Sequence, residues 1–295
     1  MDITHLPQPR ARVVTKLHRA SWDKVCLPKG LGGVGFRDGK NWNKALMAKF
    51  LWALANKQDS LWVKWINSIY LKGRDIWSFP KTQDTSWYFK KLLKLRDSTD
   101  EAKLRQAVKG TKLKAKVFYN LLVKKPKVQY SKGIWDNLLL PKHRFVYWQI
   151  INTQLLTRDF LSKFLPLQST LCPVCDSEEE SHEHIFYRCI FTKRVQLEVN
   201  SWLGNYSWPS SNIDLSYRCD FKKHDLRNRL MNMVTAAVYY QIWANRNCCF
   251  FDVTCASPKS ISLEVRNIVQ LRVSSKGPFK RSHGNSYLLN VIKNW

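Results

Sequence analysis

The segment LCPVCDSEEESHEHIFYRC, residues 171–189, carries ligand-type side chains in the pattern C-x2-C-x8-H-x4-C, and this spacing constrains the chain more than any other feature. Zinc takes four tetrahedral ligands from thiolate and imidazole. A C-x2-C pair on a tight turn delivers two sulfurs to one ion because the intervening backbone curls back. Pro173 inside that turn suits the geometry. Cys172, Cys175, His184 and Cys189 are therefore the expected ligands of one Zn2+. His182 competes for the imidazole position from two residues away, and the spacing to Cys189 favours His184. Four protein ligands leave no open coordination position, so the expected ion is structural rather than catalytic. Apparent binding energies of about 10 to 16 kcal/mol for comparable peptide sites mean that losing one ligand is enough to unfold such a module.

Around this segment the sequence reads as mainly α, with helical units surrounding a small zinc module. Residues 41–72 predict a helical hairpin: Leu46, Phe50 and Leu54 recur at four-residue steps, as do Leu61, Trp65 and Ile69, with a turn at 56–59 and Ser60 as a helix cap. Residues 78–84 break the pattern and WYFKKLLKLRD predicts a short helix. Between Lys103 and Lys127 there are nine basic residues and no acidic ones. Leu113, Val117 and Leu121 give that stretch an apolar seam, so it reads as an amphipathic basic helix. Further helices are expected over HRFVYWQIINTQLL, 157–164, 190–203, 226–247 (with Leu230, Val234, Val238 and Trp243 inward) and 258–272. The tail SSKGPFKRSHGNS reads as basic and mobile. The expected division is 1–112, 113–203 and 204–295.

The formal charge of +27, from 49 Lys and Arg against 22 Asp and Glu, creates a field that attracts polyanions. Nucleic acid is the first partner this implies. An anionic membrane surface is the second, but no apolar stretch approaches the ~20 residues of a membrane-spanning helix, and the N-terminus lacks a signal-peptide core. The expected setting is intracellular, in the nucleus, with the eight cysteines as reduced thiols or metal ligands rather than disulfides. The charge is uneven. Residues 1–170 carry +22, residues 171–200 carry −3 and residues 201–295 carry +8. Phosphate contact is thus expected from basic helices beside the zinc loop, with Lys109, Lys112, Lys114, Lys116, Lys124, Lys125 and Lys127 as candidate nucleic-acid-binding residues. The 13 Trp are expected mostly in the core; an exposed indole beside Lys or Arg would instead serve to stack on bases.

Several motifs fall away. GLGGVG at 30–35 matches G-x-G-x-x-G in form only, because Pro28 interrupts the sequence before it and no acidic residue stands about twenty positions on. Cys219 and His224 repeat an x4 spacing without a C-x2-C pair. Cys248 and Cys249 read as packing residues. No Asp-Asp pair exists to hold the two divalent metals of a polymerase or nuclease. The acidic run Glu178–Glu180 reads as solvated.

The runs WDKVCLPKGLGGVGFRDGKNWNKALMAKFLWAL and GIWDNLLLPKHRFVYWQIINTQLLTRDFLSKF, the finger CPVCDSEEESHEHIFYRC and the later IWANRN together resemble the C-terminal part of plant LINE-type (non-LTR) retrotransposon reverse transcriptases. The central portion, about 117–203, is similar to their zinc-binding domain. Glu180, Ser181, His184, Phe186 and Cys189 fit the family's ligand pattern, which adds to the case for His184 as ligand. Gln196 stands where relatives often carry Trp. The resemblance accounts for the glycine run as part of a block without a nucleotide role, and it implies template RNA or target DNA as ligand. It also implies that the polymerase domain would lie before Met1 and the RNase H domain of some relatives after Trp295. The expectation is a truncated element or domesticated fragment without catalysis: a zinc-dependent module that binds RNA or DNA, or else a zinc-stabilised protein-interaction module with unknown partners.

Overall fold

The computed structural model describes residues 20–80, 85–123, 125–222, 225–276, 279, 289, 290 and 292. It is mainly α-helical, as expected. Two compact units divide the chain, one over Asp23–Ser131 and the other from Lys132 onward, to which the residues up to Trp22 are also assigned. This differs from the three expected segments: residues 113–131 pack with the N-terminal unit, and no division falls at 203.

The N-terminal unit contains α1 (Trp22–Cys26), α2 (Gly39–Ala55), α3 (Leu61–Ile66), α4 (Trp87–Asp97), α5 (Glu101–Gln106), a hairpin of β1 (Val108–Lys109) and β2 (Lys112–Leu113), and α6 (Ala115–Leu122). Side chains set the helix starts. Asp38 accepts from the Asn41 amide at 2.8 Å, Ser60 from Val63 at 3.3 Å, and Ser86 from Phe89 at 3.3 Å. Each fills an amide that the first turn leaves without an internal partner. Ser60 is the cap expected from the sequence.

The hairpin of helices forms, but on a different face from the one expected. In α2 the buried residues are Ala45, Ala48, Leu51 and Leu54, whereas Leu46 and Phe50 are exposed. Leu61, Trp65 and Ile69 all face solvent, while Val63 and Ile66 are buried. Small alanines let α2 approach its neighbours α4 and α6 closely, and the larger apolar residues fall one position to the side. The expected basic helix is likewise interrupted. Gly110, at φ +62°, turns the chain between β1 and β2, pairing Val108 with Leu113 and Lys109 with Lys112 before α6 begins. Ala115, Phe118 and Tyr119 form the buried seam of α6.

The glycine run is a packing device. A Cβ on Gly33 would stand 2.0 Å from the Leu27 carbonyl oxygen, and Gly32 adopts φ +89°. The Gly30 carbonyl accepts from the Val128 amide at 3.0 Å, so the run ties the start of the unit to its end.

The C-terminal unit is built on α12 (Leu226–Phe251), which buries Leu230, Val234 and Val238 as expected and also Met233, Ala236, Ala237 and Tyr239; Trp243 is half-buried. Around it lie α7 (Ser131–Ile134), α8 (Pro141–Ile151), α9 (Arg158–Leu161), α10 (Ile190–Leu203), α11 (Asn212–Arg218) and α13 (Pro258–Lys276). Of the expected mobile tail, Ser274–Lys276 continue α13; nearly all of the rest lies outside the described residues. Trp148 is fully buried, while Trp22, Trp65 and Trp87 are exposed, so the tryptophans are less uniformly core than expected.

The expectation of reduced cysteines is corrected at one place. After α12 the chain reverses, with the Ala256 amide bound to Asn245 Oδ1 at 2.7 Å. This brings the Cα atoms of Cys249 and Cys255 to 5.1 Å, where they form a disulfide. Cys248 is exposed rather than packed. Cys219 is a buried packing thiol, 3.5 Å from the Tyr147 hydroxyl. His224 lies outside the described residues.

His143 on α8 is buried and stacks on Tyr240 of α12 at 4.5 Å. Burial first, then the charges of Lys142 and Arg272, lower its pKa to about 4. A folded-state value below the unfolded ~6.5 means that its contribution is complete above that pH and is lost as pH falls toward 4. His143→Phe, which retains a ring against Tyr240, should therefore lose less stability than the native chain between those values. Urea denaturation at a series of pH values would read the difference.

Candidate metal centre

The four candidate ligands come from two short pieces of backbone. Residues 170–180 form a tight loop closed by the Glu180 amide on the Thr170 carbonyl (2.9 Å) and the Cys172 amide on the Glu178 carbonyl (2.8 Å). Within it the Asp176 amide reaches the Cys172 carbonyl at 2.9 Å and Asp176 takes φ +51°. That turn brings Cys172 and Cys175 to one side. His184 opens a π-helical turn (His184–Arg188), and Cys189 sits directly before α10. The wide turn closes through the Cys189 amide on the His184 carbonyl at 2.7 Å. It thereby converts a five-residue separation into side chains on the same side.

All four ligand atoms lie within 4.8 Å of one another. Tetrahedral zinc, with Zn–S near 2.3 Å and Zn–N near 2.0 Å, holds three sulfurs and a nitrogen about 3.5–3.8 Å apart, so a set within 4.8 Å needs only small side-chain rotations to take the ion. Cys175 Sγ and His184 Nε2 are already at 3.2 Å. His184 Nδ1 lies 3.1 Å from Glu178 Oε2, which leaves Nε2 turned toward the sulfurs, the arrangement that orients metal-bound imidazoles. Cys172, His184 and Cys189 are buried. The hydrogen bond between the two thiols, then burial, raises the Cys172 pKa, while the same bond lowers that of Cys189.

His182, the competing ligand, points elsewhere. Its Nε2 accepts from the Leu155 amide at 3.1 Å, so it pins the chain after α8 to the loop. Glu178 and Glu179 are exposed, as expected of a solvated run, but Glu180 departs from that reading. It is fully buried and forms a two-point ion pair with Arg246 of α12, at 2.5 and 2.6 Å, while its Oε2 also accepts from the Arg158 amide at 2.6 Å. Rings flank the guanidinium, Trp243 at 5.0 Å and Phe250 at 4.7 Å. Of the three glutamates, Glu178 orients a ligand and Glu180 anchors the loop. Sequence reasoning missed Arg246 as a structural residue, although IWANRN, which contains it, stood out.

The candidate nucleic-acid-binding lysines are placed by the N-terminal unit. Lys109 and Lys112 are paired across the hairpin; Lys114 and Lys116 follow at the start of α6; Lys125 and Lys127 come after it. All six are exposed. Lys124 lies outside the described residues. No helix among the described residues is long and apolar enough to cross a membrane.

Fold and site together define a helical protein carrying a small, closed zinc-binding module, with a structural Zn2+ held by Cys172, Cys175, His184 and Cys189. Residues 114–195 match the family described as zinc-binding in reverse transcriptase, a stretch that contains all four ligands. An Arabidopsis thaliana protein named "putative ribonuclease H protein" is 39% identical over 85 residues, 28% of this chain, and the match spans 14% of that protein's length. No solved structure matches.

Removing one ligand should remove both metal and fold of the module. Cys175→Ser is expected to take zinc from one per chain to none in metal analysis, with loss of near-UV circular dichroism. Glu180→Ala leaves Arg246 buried without its carboxylate, a change that costs about 3–5 kcal/mol; chemical denaturation would show it as a lowered midpoint.

Proposed function

We propose that the chain is a non-catalytic, zinc-stapled nucleic-acid-binding module of non-LTR retrotransposon reverse-transcriptase type, working in the nucleus and taking RNA or DNA on its basic residues. The observation that carries this reading is the array of exposed lysines on the β1–β2 hairpin and the start of α6, in a chain of net charge +27. Polyphosphate is the partner that such an array attracts over distance. Similarity of residues 114–195 to a reverse-transcriptase zinc-binding family agrees with it.

The metal supports this role indirectly. A centre with four protein ligands has no position for substrate or water, so its chemistry is to hold backbone. Its surroundings are acidic and repel phosphate. The division of labour is then binding by lysines and shape-keeping by zinc. A docking role would have to rest on the exposed Asp176, Glu178 and Glu179, because Glu180 is buried against Arg246 and Glu178 also holds His184.

Affinity carried by phosphate contacts falls with salt, by about 0.7–0.9 in log–log slope per contact. Replacing Lys112, Lys114 and Lys116 together with Ala should flatten that slope by about 2 to 3. Fluorescence anisotropy with a labelled oligonucleotide across a salt series measures it; an affinity that ignores salt would overturn the reading.

A further inference from the structure

We propose that the N-terminal unit holds a single strand of nucleic acid in a groove between α2 and the β1–β2 hairpin, with unpaired bases on the indoles of Trp42 and Trp52 and phosphates on Lys49, Lys112, Lys114 and Lys116. The inference rests on the nucleic-acid reading above and adds to it a location and a preference for single strands.

The groove encloses about 460 Å³, within the range of pockets that hold small organic groups. One wall is a stripe of α2: Trp42, Leu46, Lys49 and Trp52 follow one another at steps of four, three and three residues, beside the core stripe of Ala45, Ala48 and Leu51. The opposite wall runs from Lys112 to Lys116. Large rings thus sit where they keep partial access to water, while alanines take the close-packed positions. No carboxylate lines the groove, and four ammonium groups do.

Its aromatic surfaces are held in place. The Trp52 indole N–H donates to the Thr111 carbonyl at 3.2 Å, and the Gln58 amide donates to the same oxygen at 3.1 Å, fixing the hairpin turn against the end of α2. Trp42 meets the Tyr119 ring edge-on at 5.8 Å, with the Arg37 guanidinium 3.8 Å over its own ring. Rings already ordered cost little further entropy when a ligand stacks on them.

Indoles flanked by cations, in a channel free of negative charge, suit a polyanion that also offers flat apolar faces. Single strands present both; in a duplex the base faces are covered by their neighbours. An acidic peptide would answer the lysines and leave the two indoles without purpose.

The test uses the full zinc-loaded chain, with 5-iodouridine-substituted single-stranded RNA and DNA in separate arms and a matched duplex as competitor. Photocrosslinked peptides are mapped by mass spectrometry. Either single strand is expected to crosslink at Trp42 or Trp52, with duplex competing at least tenfold less well. Trp52→Ala should weaken single-strand binding by about 5- to 150-fold, the effect of one stacked base. Because Trp52 also packs within its unit, the fold-neutral pair Lys112→Glu with Lys114→Glu, checked by circular dichroism, should weaken it too. Binding with crosslinks confined to other peptides, preference for duplex, or displacement of the strand by polyglutamate at equal concentration overturns the groove and leaves the broader reading standing. Binding of no nucleic acid at all overturns both.

Discussion

The buried pair of Glu180 and Arg246 makes the zinc loop part of a folded unit. A loop of this length has almost no apolar interior, so the metal supplies its internal order; metal alone would leave it hanging from the chain. Glu180 closes the loop through its own amide on Thr170 and sends its carboxylate to α12, the central helix. Burying two charges costs several kcal/mol for each ion, and geometry has to repay it. Here the repayment is visible: two guanidinium hydrogen bonds, a third from the Arg158 amide, and aromatic rings on Trp243 and Phe250 flanking the cation. Phe250 also lies under the Arg158 guanidinium at 4.9 Å. The loop is thus held from within by a cation-binding cluster and from outside by a charge pair.

What could be read from the sequence was whatever depends on short-range geometry. The ligand set was legible because a C-x2-C turn and an H-x4-C turn are each decided within a few residues. Caps were legible for the same reason, as Ser60 illustrates. Glu180 was not, since its partner is sixty-six residues away and the run EEE looks equally solvated at each position. The helix faces of α2 and α3 were misread because periodicity marks several stripes at once. The stripe with the largest apolar residues is the more conspicuous in the sequence, while the core uses the one with alanines, where helices approach. The basic stretch after Lys103 was read as one helix because its charge is continuous; Gly110 carried the turn signal that splits it.

The same two features that misled the helix assignment bear on function. Leu46, displaced from the core of α2, the half-buried rings of Trp42 and Trp52 beside it, and lysines displaced from a continuous helix onto a hairpin meet at one groove. Rings that water can still reach are a free-energy cost to the folded monomer, of the order of 25 cal/mol for each Å² left exposed. A partner that stacks on them recovers it. The metal centre differs: its ligands point at one another, and Glu180 is buried against Arg246.

The stretch similar to reverse-transcriptase zinc-binding regions begins at Lys114 and ends at residue 195, so it takes in part of the lysine array as well as every zinc ligand. These belong to different compact units. A zinc-binding module defined by its ligands alone would need only the second. The matched stretch also reaches back through α6, whose buried seam of Ala115, Phe118 and Tyr119 belongs to the N-terminal unit. The ion holds the fold of its own unit, and the proposed contact with phosphate falls to lysines of the other.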